Sequence, residues 1–307
     1  MEFNELALVI YTILMQLAVG SFITIELIRF FSTRKSTAQE ANNLVNLVLY
    51  SLGPIAVLGM LASFFHLKVP LLAPYALLNV GTSWMSREIW LTLIFTVLVI
   101  VYSILLIRKL KSQLIKNIFA IVTSLVGLVL IYCMARAYML PTFPAWDSLA
   151  TPFSFYVTTL LLGTVFCGAA IAFNYRHSIK RDPDSKETQY TLLKCVVKWI
   201  TLAAVVALGV ELVSIPLHQY YLALAEIPSA ALYEGLWAGG YGVLFALRLV
   251  LVFIGAGILG FFMYRNAVRP DQELRIRYLI YVAFTLVLVS ELFGRFLFYA
   301  TSIKIGI

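Results

Sequence analysis

From Ile89 to Ile107 the chain reads IWLTLIFTVLVIVYSILLI, an apolar run without a charged residue. It is closed on one side by Arg87-Glu88 and on the other by Arg108-Lys-Leu-Lys111. About 20 mostly apolar residues cross the hydrocarbon core as a helix, which satisfies its own backbone polar groups. A barrel strand would be about 10 residues long and would alternate polar with apolar positions; this run does neither. Seven further segments read the same way: Leu6–Ile28, Leu44–Phe65, Ile118–Met134, Phe153–Phe173, Val196–Ile215, Val243–Tyr264 and Tyr278–Tyr299. The expected fold is all-α, a polytopic integral membrane protein with eight transmembrane helices. Residues 1–307 are expected to form a single membrane domain.

Composition agrees. Of 307 residues 62% are hydrophobic and 12% charged, where a soluble protein has about 45–50% and about 25%. With a mean hydropathy of +0.92 this sequence cannot cover a water-facing surface with polar groups. That excludes a soluble enzyme, a nucleic-acid-binding domain and a disordered protein. The first span follows acidic residues, Glu2 and Glu5, has no basic n-region and runs too long for a cleaved signal peptide. It is expected to stay as a membrane helix.

Basic residues orient the spans. Arg29, Arg34 and Lys35 follow the first; Arg108, Lys109, Lys111 and Lys116 follow the third. Arg176, Lys180, Arg181, Lys186, Lys194 and Lys198 follow the fifth; Arg265, Arg269, Arg275 and Arg277 follow the seventh. The opposite side has Lys68, Arg87, Arg136, Arg248, Arg295 and Lys304, six against seventeen. Lys and Arg accumulate in cytoplasmic loops, so the richer side is expected in the cytoplasm and both termini outside. The clearest solvated connection is a basic cytoplasmic loop at about 175–191, containing Asp182-Pro-Asp184. The outer connections His66–Arg87, Met139–Thr151 and Pro216–Gly242 are richer in Pro and aromatics. They suit short helices lying on the membrane, or a docking surface for a soluble partner.

Ionisable groups inside spans are costly and therefore candidates for function. They gather toward the outer ends of several helices: His66 and Glu88 flank one loop, with Arg136, Glu211, Arg248, Glu291 and Arg295 elsewhere. Glu291 and Arg295 stand four residues apart, so they share a helix face and can pair. Two readings of the Glu211, Arg248, Glu291 and Arg295 group stand side by side: ion pairs locking helices together, or a polar pocket that exchanges protons with water. His66 and Glu88 also read two ways. A His–carboxylate pair suits proton exchange with a redox-active lipid; a lone His at a helix end can equally hold an interfacial hydrogen bond. Ser86 reads as the N-cap of the third span, Arg87 as a headgroup contact, and the glycines of Gly255–Gly260 as close helix packing. Cys133, Cys167 and Cys195 lie far apart, without a CxxC pair, and read as structural thiols. No haem is expected, because His177 sits in the basic loop, leaving only His66 and His218 to converge. Neither a P-loop, an HExxH, a GxSxG nor a dinucleotide fingerprint occurs.

Four pieces in order carry a resemblance: Ser63-Phe-Phe-His66-Leu-Lys-Val-Pro70; Asn79-Val-Gly-Thr with Ser86-Arg-Glu88-Ile89; Pro144-Ala-Trp146-Asp-Ser148-Leu-Ala-Thr151-Pro152; and Glu291-Leu-Phe-Gly294-Arg295-Phe-Leu-Phe-Tyr299. With eight spans, the sequence resembles the DMSO reductase anchor subunit (DmsC) family. The resemblance implies a haem-free anchor in the bacterial inner membrane, without an iron–sulfur cluster of its own. Such an anchor oxidises menaquinol and passes electrons to a four-cluster iron–sulfur subunit, which feeds a molybdopterin catalytic subunit. The family's quinol-site His and Glu match His66 and Glu88. Lys68 departs from the family pattern, which has Gly there. The rival class is a secondary transporter, whose repeated halves and interrupted helices find no counterpart in this sequence.

Overall fold

The structure, a computed structural model, describes residues 3–32, 38–65, 73–108, 112–181, 186–224, 241–267 and 273–300. All eight expected spans are present as long apolar helices: α1 (Phe3–Ser32), α2 (Ala38–Phe65), α4 (Trp84–Ile107), α5 (Gln113–Tyr138), α6 (Ala150–Arg181), α7 (Lys186–Leu224), a broken seventh span, and α10 (Glu273–Ala300). The seventh span comprises α8 (Tyr241–Val252), a π-helical stretch Phe253–Ile258 and α9 (Leu259–Ala267). A four-residue helix, α3 (Ala73–Ala76), lies between α2 and α4.

The pairs α2–α4 and α6–α10 run antiparallel, as the cross-contacts show. Between α2 and α4, Ser103 Oγ donates to the Leu49 carbonyl at 3.1 Å, and Gly53 lies against Ile100. Between α6 and α10, Thr158 meets Glu291 while Phe166 meets Phe284. The starts of α1, α4 and α6 and the ends of α5 and α10 therefore share one rim, termed the upper rim.

α1 and α6 are the central helices, with 72% and 67% of their most apolar stretches buried, against 20–44% elsewhere. They run parallel, Gln16 meeting Phe155 and Ser21 meeting Cys167. A Cβ on Gly20 would strike the Thr159 carbonyl, and one on Gly163 the Gly20 backbone. Only glycine lets the two helices come this close. Small residues matter doubly in lipid, where close van der Waals packing replaces the hydrophobic drive between helices. The glycines of the seventh span also pack as expected: Gly255 against Leu286 and Val287, Gly257 against Leu208, and Gly260 against Val205.

The solvent is lipid, and α4 shows the consequence. Its buried face carries Ser86, Glu88, Thr92, Thr96 and Ser103 among apolar groups, while Trp90, Leu93, Ile94, Val97 and Ile104 face outward. Apolar side chains lose nothing against hydrocarbon, whereas polar ones need partners inside the bundle.

Three local expectations are corrected. Most of the connection expected as a solvated loop at about 175–191 is helix: α6 continues to Arg181 and α7 begins at Lys186. Beyond the hydrocarbon a helix still satisfies its own backbone, so polar sequence alone does not end it; Pro183 falls between the two helices. α7 likewise passes Pro216 and ends at Leu224. Finally, the cap of α4 is Ser83, whose side chain accepts from the Ser86 amide at 3.3 Å, and Ser86 stands inside the helix.

Candidate functional site

Glu88 lies in the first turns of α4, near the upper rim, and is 7% exposed. The helix turns it inward, onto the same face as Ser86, Thr92 and Phe95. Its carboxyl group lies against the hydroxyl of Tyr11, a buried residue of α1. That hydroxyl is also 2.8 Å from Thr92 Oγ1, with either atom able to donate. Tyr11 and Thr92 escaped the sequence reading, because an aromatic and a hydroxyl residue inside an apolar run carry no signal of what they face.

The segment entering α4 is strapped to that helix by the side chains around Glu88. Ser86 Oγ donates to the Ala76 carbonyl. Trp90 Nε1 donates to the Leu77 carbonyl at 3.1 Å. Arg87, expected as a headgroup contact, donates instead to the carbonyls of Val80 at 2.8 Å and Gly81 at 2.6 Å, with its guanidinium 4.3 Å from the Trp84 ring. Residues 73–83, which follow His66 in the sequence, are thereby fastened to the helix that carries Glu88. His66 itself lies outside the described residues.

A second polar group sits at the same level of the bundle. Arg248 Nη2 of α8 pairs with Glu211 Oε1 of α7 at 2.6 Å. Thr158 Oγ1 of α6 donates to Glu291 Oε2 at 2.7 Å, and the carboxyl groups of Glu211 and Glu291 are neighbours. Arg248 crosses the backbone of α10 at Gly294, where a Cβ would come within 2.5 Å of the guanidinium. A side chain there would have to push the Arg248 guanidinium off its place beside Glu211. The expected Glu291–Arg295 pair is not formed among the described residues. Arg295 turns toward α1 and α6 instead: Nη2 donates to Gln16 Oε1 at 2.8 Å, and the guanidinium lies 3.8 Å from the Phe155 ring. Four-residue spacing puts two side chains within reach of each other, but Gln16 and an aromatic face compete for a planar cation.

Arg136 joins neither group. It lies 5.3 Å from the Trp84 ring and its Nη1 meets Met139 Sδ at 3.5 Å. Of the cysteines, Cys133 and Cys167 are buried and Cys195 is half-buried, all as free thiols. Between the Glu88 and Arg295 groups stands an aromatic cluster. Tyr299 Oη donates to Tyr138 Oη at 2.8 Å, Trp146 Nε1 donates to the Phe298 carbonyl at 2.9 Å, and the Trp146 ring stacks on Phe298 at 5.0 Å. This explains the Pro144-Ala-Trp146 stretch: it seals the upper rim over α5, α6 and α10.

An eight-span helical bundle with Glu88, Glu211, Arg248, Glu291 and Arg295 enclosed toward one rim has the architecture of an integral membrane subunit, lipid-facing on its sides. Residues 1–301 match the DMSO reductase anchor subunit (DmsC) family, and the protein belongs to it. The C subunit of the anaerobic dimethyl sulfoxide reductase of Haemophilus influenzae is 29% identical over 302 residues, covering 98% of this protein and 96% of the relative. The Escherichia coli subunit of the same name is 26% identical over 308 residues, covering 99% and 96%. A third relative, the YnfH subunit of an Escherichia coli anaerobic dimethyl sulfoxide reductase, is 25% identical over 303 residues, again covering 99% and 96%.

Proposed function

We propose that this protein anchors a DMSO-reductase-type complex in the bacterial inner membrane and oxidises menaquinol close to Glu88. The supporting observation is one buried carboxyl group near the rim of a lipid-facing helix, beside hydroxyl groups and without a basic partner among the described residues. A carboxylate there accepts a hydrogen bond from a quinol hydroxyl and then its proton. Oxidation releases two protons and two electrons. Glu88 takes one proton, and His66, placed by the resemblance on the other side of the same loop, holds the second oxygen and takes the other. The electrons leave for a four-cluster iron–sulfur subunit docked over the upper rim, and from there reach a molybdopterin catalytic subunit. Electron tunnelling is short-ranged, so the acceptor must dock at the end that holds Glu88. The redox chemistry belongs to quinol and clusters; the protein positions the headgroup and manages protons.

The test is Glu88→Gln in membranes containing the assembled complex. Glutamine keeps the shape and accepts hydrogen bonds but takes no proton, so quinol-analogue oxidation per assembled complex should fall by about a hundredfold. Turnover at the wild-type rate with normal assembly removes Glu88, and with it this site.

A further inference from the structure

Arg136 stands in the last turn of α5, at the upper rim, and its donors are poorly used. Nε is buried without a hydrogen-bond partner, and Nη1 meets the Met139 thioether at 3.5 Å, a weak acceptor. Among the described residues no carboxylate lies within ion-pair distance of it. A cation in the last turn gains from the helix dipole, yet the side chain leaves the terminal carbonyls of α5 alone; the Met139 amide takes the Arg136 carbonyl. The guanidinium is held instead 5.3 Å from the ring of Trp84, the first residue of α4. The same ring carries the Arg87 guanidinium at 4.3 Å and meets Tyr132 edge-on at 5.8 Å. Arg87 spends Nε and Nη2 on the Val80 and Gly81 carbonyls, which fixes its place but leaves its charge without a carboxylate among the described residues. Trp90 and Trp146 donate from Nε1 to carbonyls, whereas Trp84 Nε1 makes no hydrogen bond among the described residues. Toward the lower rim from Arg136, at helical spacing on one face of α5, Tyr132, Val129, Leu128 and Leu125 are exposed.

We infer that Arg136, with Trp84 Nε1 and the charge of Arg87 beside it, binds the phosphate of an anionic phospholipid whose acyl chain lies along the Leu125–Tyr132 face of α5. A guanidinium presents a planar fork of donors that matches two phosphate oxygens at once. A cation at the end of a membrane span is costly until it is paired, and a headgroup phosphate meets it at the rim without displacing any bond already made. The two cations around Trp84 select for net negative charge, because a zwitterionic headgroup would bring a third cation to the same indole. The apolar track below Arg136 selects for a lipid over a free phosphate: the chain covers side chains that lose nothing against hydrocarbon, while the head occupies the unused donors.

The experiment uses the assembled complex, purified in mild detergent, with bound lipid counted by native mass spectrometry during titration with phosphatidylglycerol, phosphatidylcholine or inorganic phosphate. The wild-type complex should take up phosphatidylglycerol in preference to phosphatidylcholine, and inorganic phosphate should not displace it. Arg136→Gln should lose one tightly held phosphatidylglycerol per anchor subunit, with an affinity lower by about tenfold, because the charge-assisted bonds to phosphate are gone. Arg136→Lys keeps a point charge without the planar fork and should retain part of the affinity. If Arg136→Gln does not assemble, Trp84→Phe decides. It keeps an aromatic ring beside both guanidinium groups, removes the Nε1 donor and should weaken the same lipid by roughly threefold. Unchanged lipid count and affinity in Arg136→Gln, or in Trp84→Phe where that variant decides, overturns the site. Displacement by inorganic phosphate makes it a free-anion site and overturns the lipid assignment, and equal uptake of phosphatidylcholine overturns the selection for negative charge. A raised KM for a quinol analogue with normal lipid uptake in Arg136→Gln makes Arg136 a quinol contact and overturns the proposal as well.

Discussion

Arg295 is buried and Arg248 half-buried, and the two cations depend on different partners. Arg248 is neutralised by Glu211 at 2.6 Å, whereas Arg295 is held by an amide and an aromatic face. Removing one member of a buried ion pair strands the other, at a cost of about 3–5 kcal/mol. Arg248→Ala should therefore reduce the amount of subunit recovered from membranes and lower its unfolding temperature in detergent. Arg295→Lys should do the same although charge is kept, because an ammonium group cannot lie flat over Phe155 while donating to Gln16. Normal yield and thermal stability in both variants would show that these arginines do not tie the helices together. At the opposite end, Glu26 plays a comparable part. It accepts from Tyr102 Oη at 2.9 Å and pairs with Arg29 at 3.2 Å. Arg29, counted among the loop cations in the sequence, is in fact 5% exposed; a basic residue one turn before a helix end can fold back onto its own helix.

Among the elements, α1 and α6 set the dimensions of the whole bundle, and their crossing depends on Gly20 and Gly163. Gly163→Val would force its Cβ into the Gly20 backbone, where no rotamer change can relieve the clash. The expected result is loss of folded subunit, read as disappearance of the monodisperse detergent-solubilised species. Gly209→Ala is the matched control. No atom lies within 4 Å of a Cβ at that position, and alanine favours a helix interior by up to about 1 kcal/mol over glycine, so yield should be maintained or rise. Equal yields from the two variants would mean that α1 and α6 are not in close contact. The interruption of the seventh span at Phe253–Ile258 belongs to the same scale. A π-helical stretch widens the turn, and it does so where Gly255 and Gly257 meet α10 and α7.

At the scale of the molecule, the distribution of basic residues predicts an orientation, because short loops rich in Lys and Arg tend to remain in the cytoplasm. Reporter fusions after Arg34, Lys111, Lys186 and Asp271 should read as cytoplasmic, and fusions at Ala73, Asp147 and Ser229 as extracytoplasmic. A cytoplasmic reading at Ala73 would invert the bundle and put the Glu88 rim on the wrong side for an outward-facing partner. The charge bias and the position of Glu88 are independent features of the sequence. Their agreement would place quinol chemistry and partner on one membrane face.

The number of spans, their approximate limits and the expected orientation were legible in sequence because each follows from a one-dimensional quantity: the length of an apolar run, or the count of cations between runs. Candidate residues were legible as well, since a charge within a hydrocarbon-spanning helix stands out whatever surrounds it. Glu88, Glu211, Arg248, Glu291 and Arg295 were found in this way, and all five are largely enclosed among other helices. What sequence could not supply was the choice among partners. Glu291 and Arg295 are neighbours on one helix, yet each bonds to a different helix, because the crossing of α1 and α6 brings Gln16, Phe155 and Thr158 to them. Tyr11 and Thr92 lie 81 positions apart and became partners of Glu88 only when α1 and α4 packed side by side. Hydropathy decides which side chains leave water, but only the packing of helices against one another decides which polar groups those side chains meet.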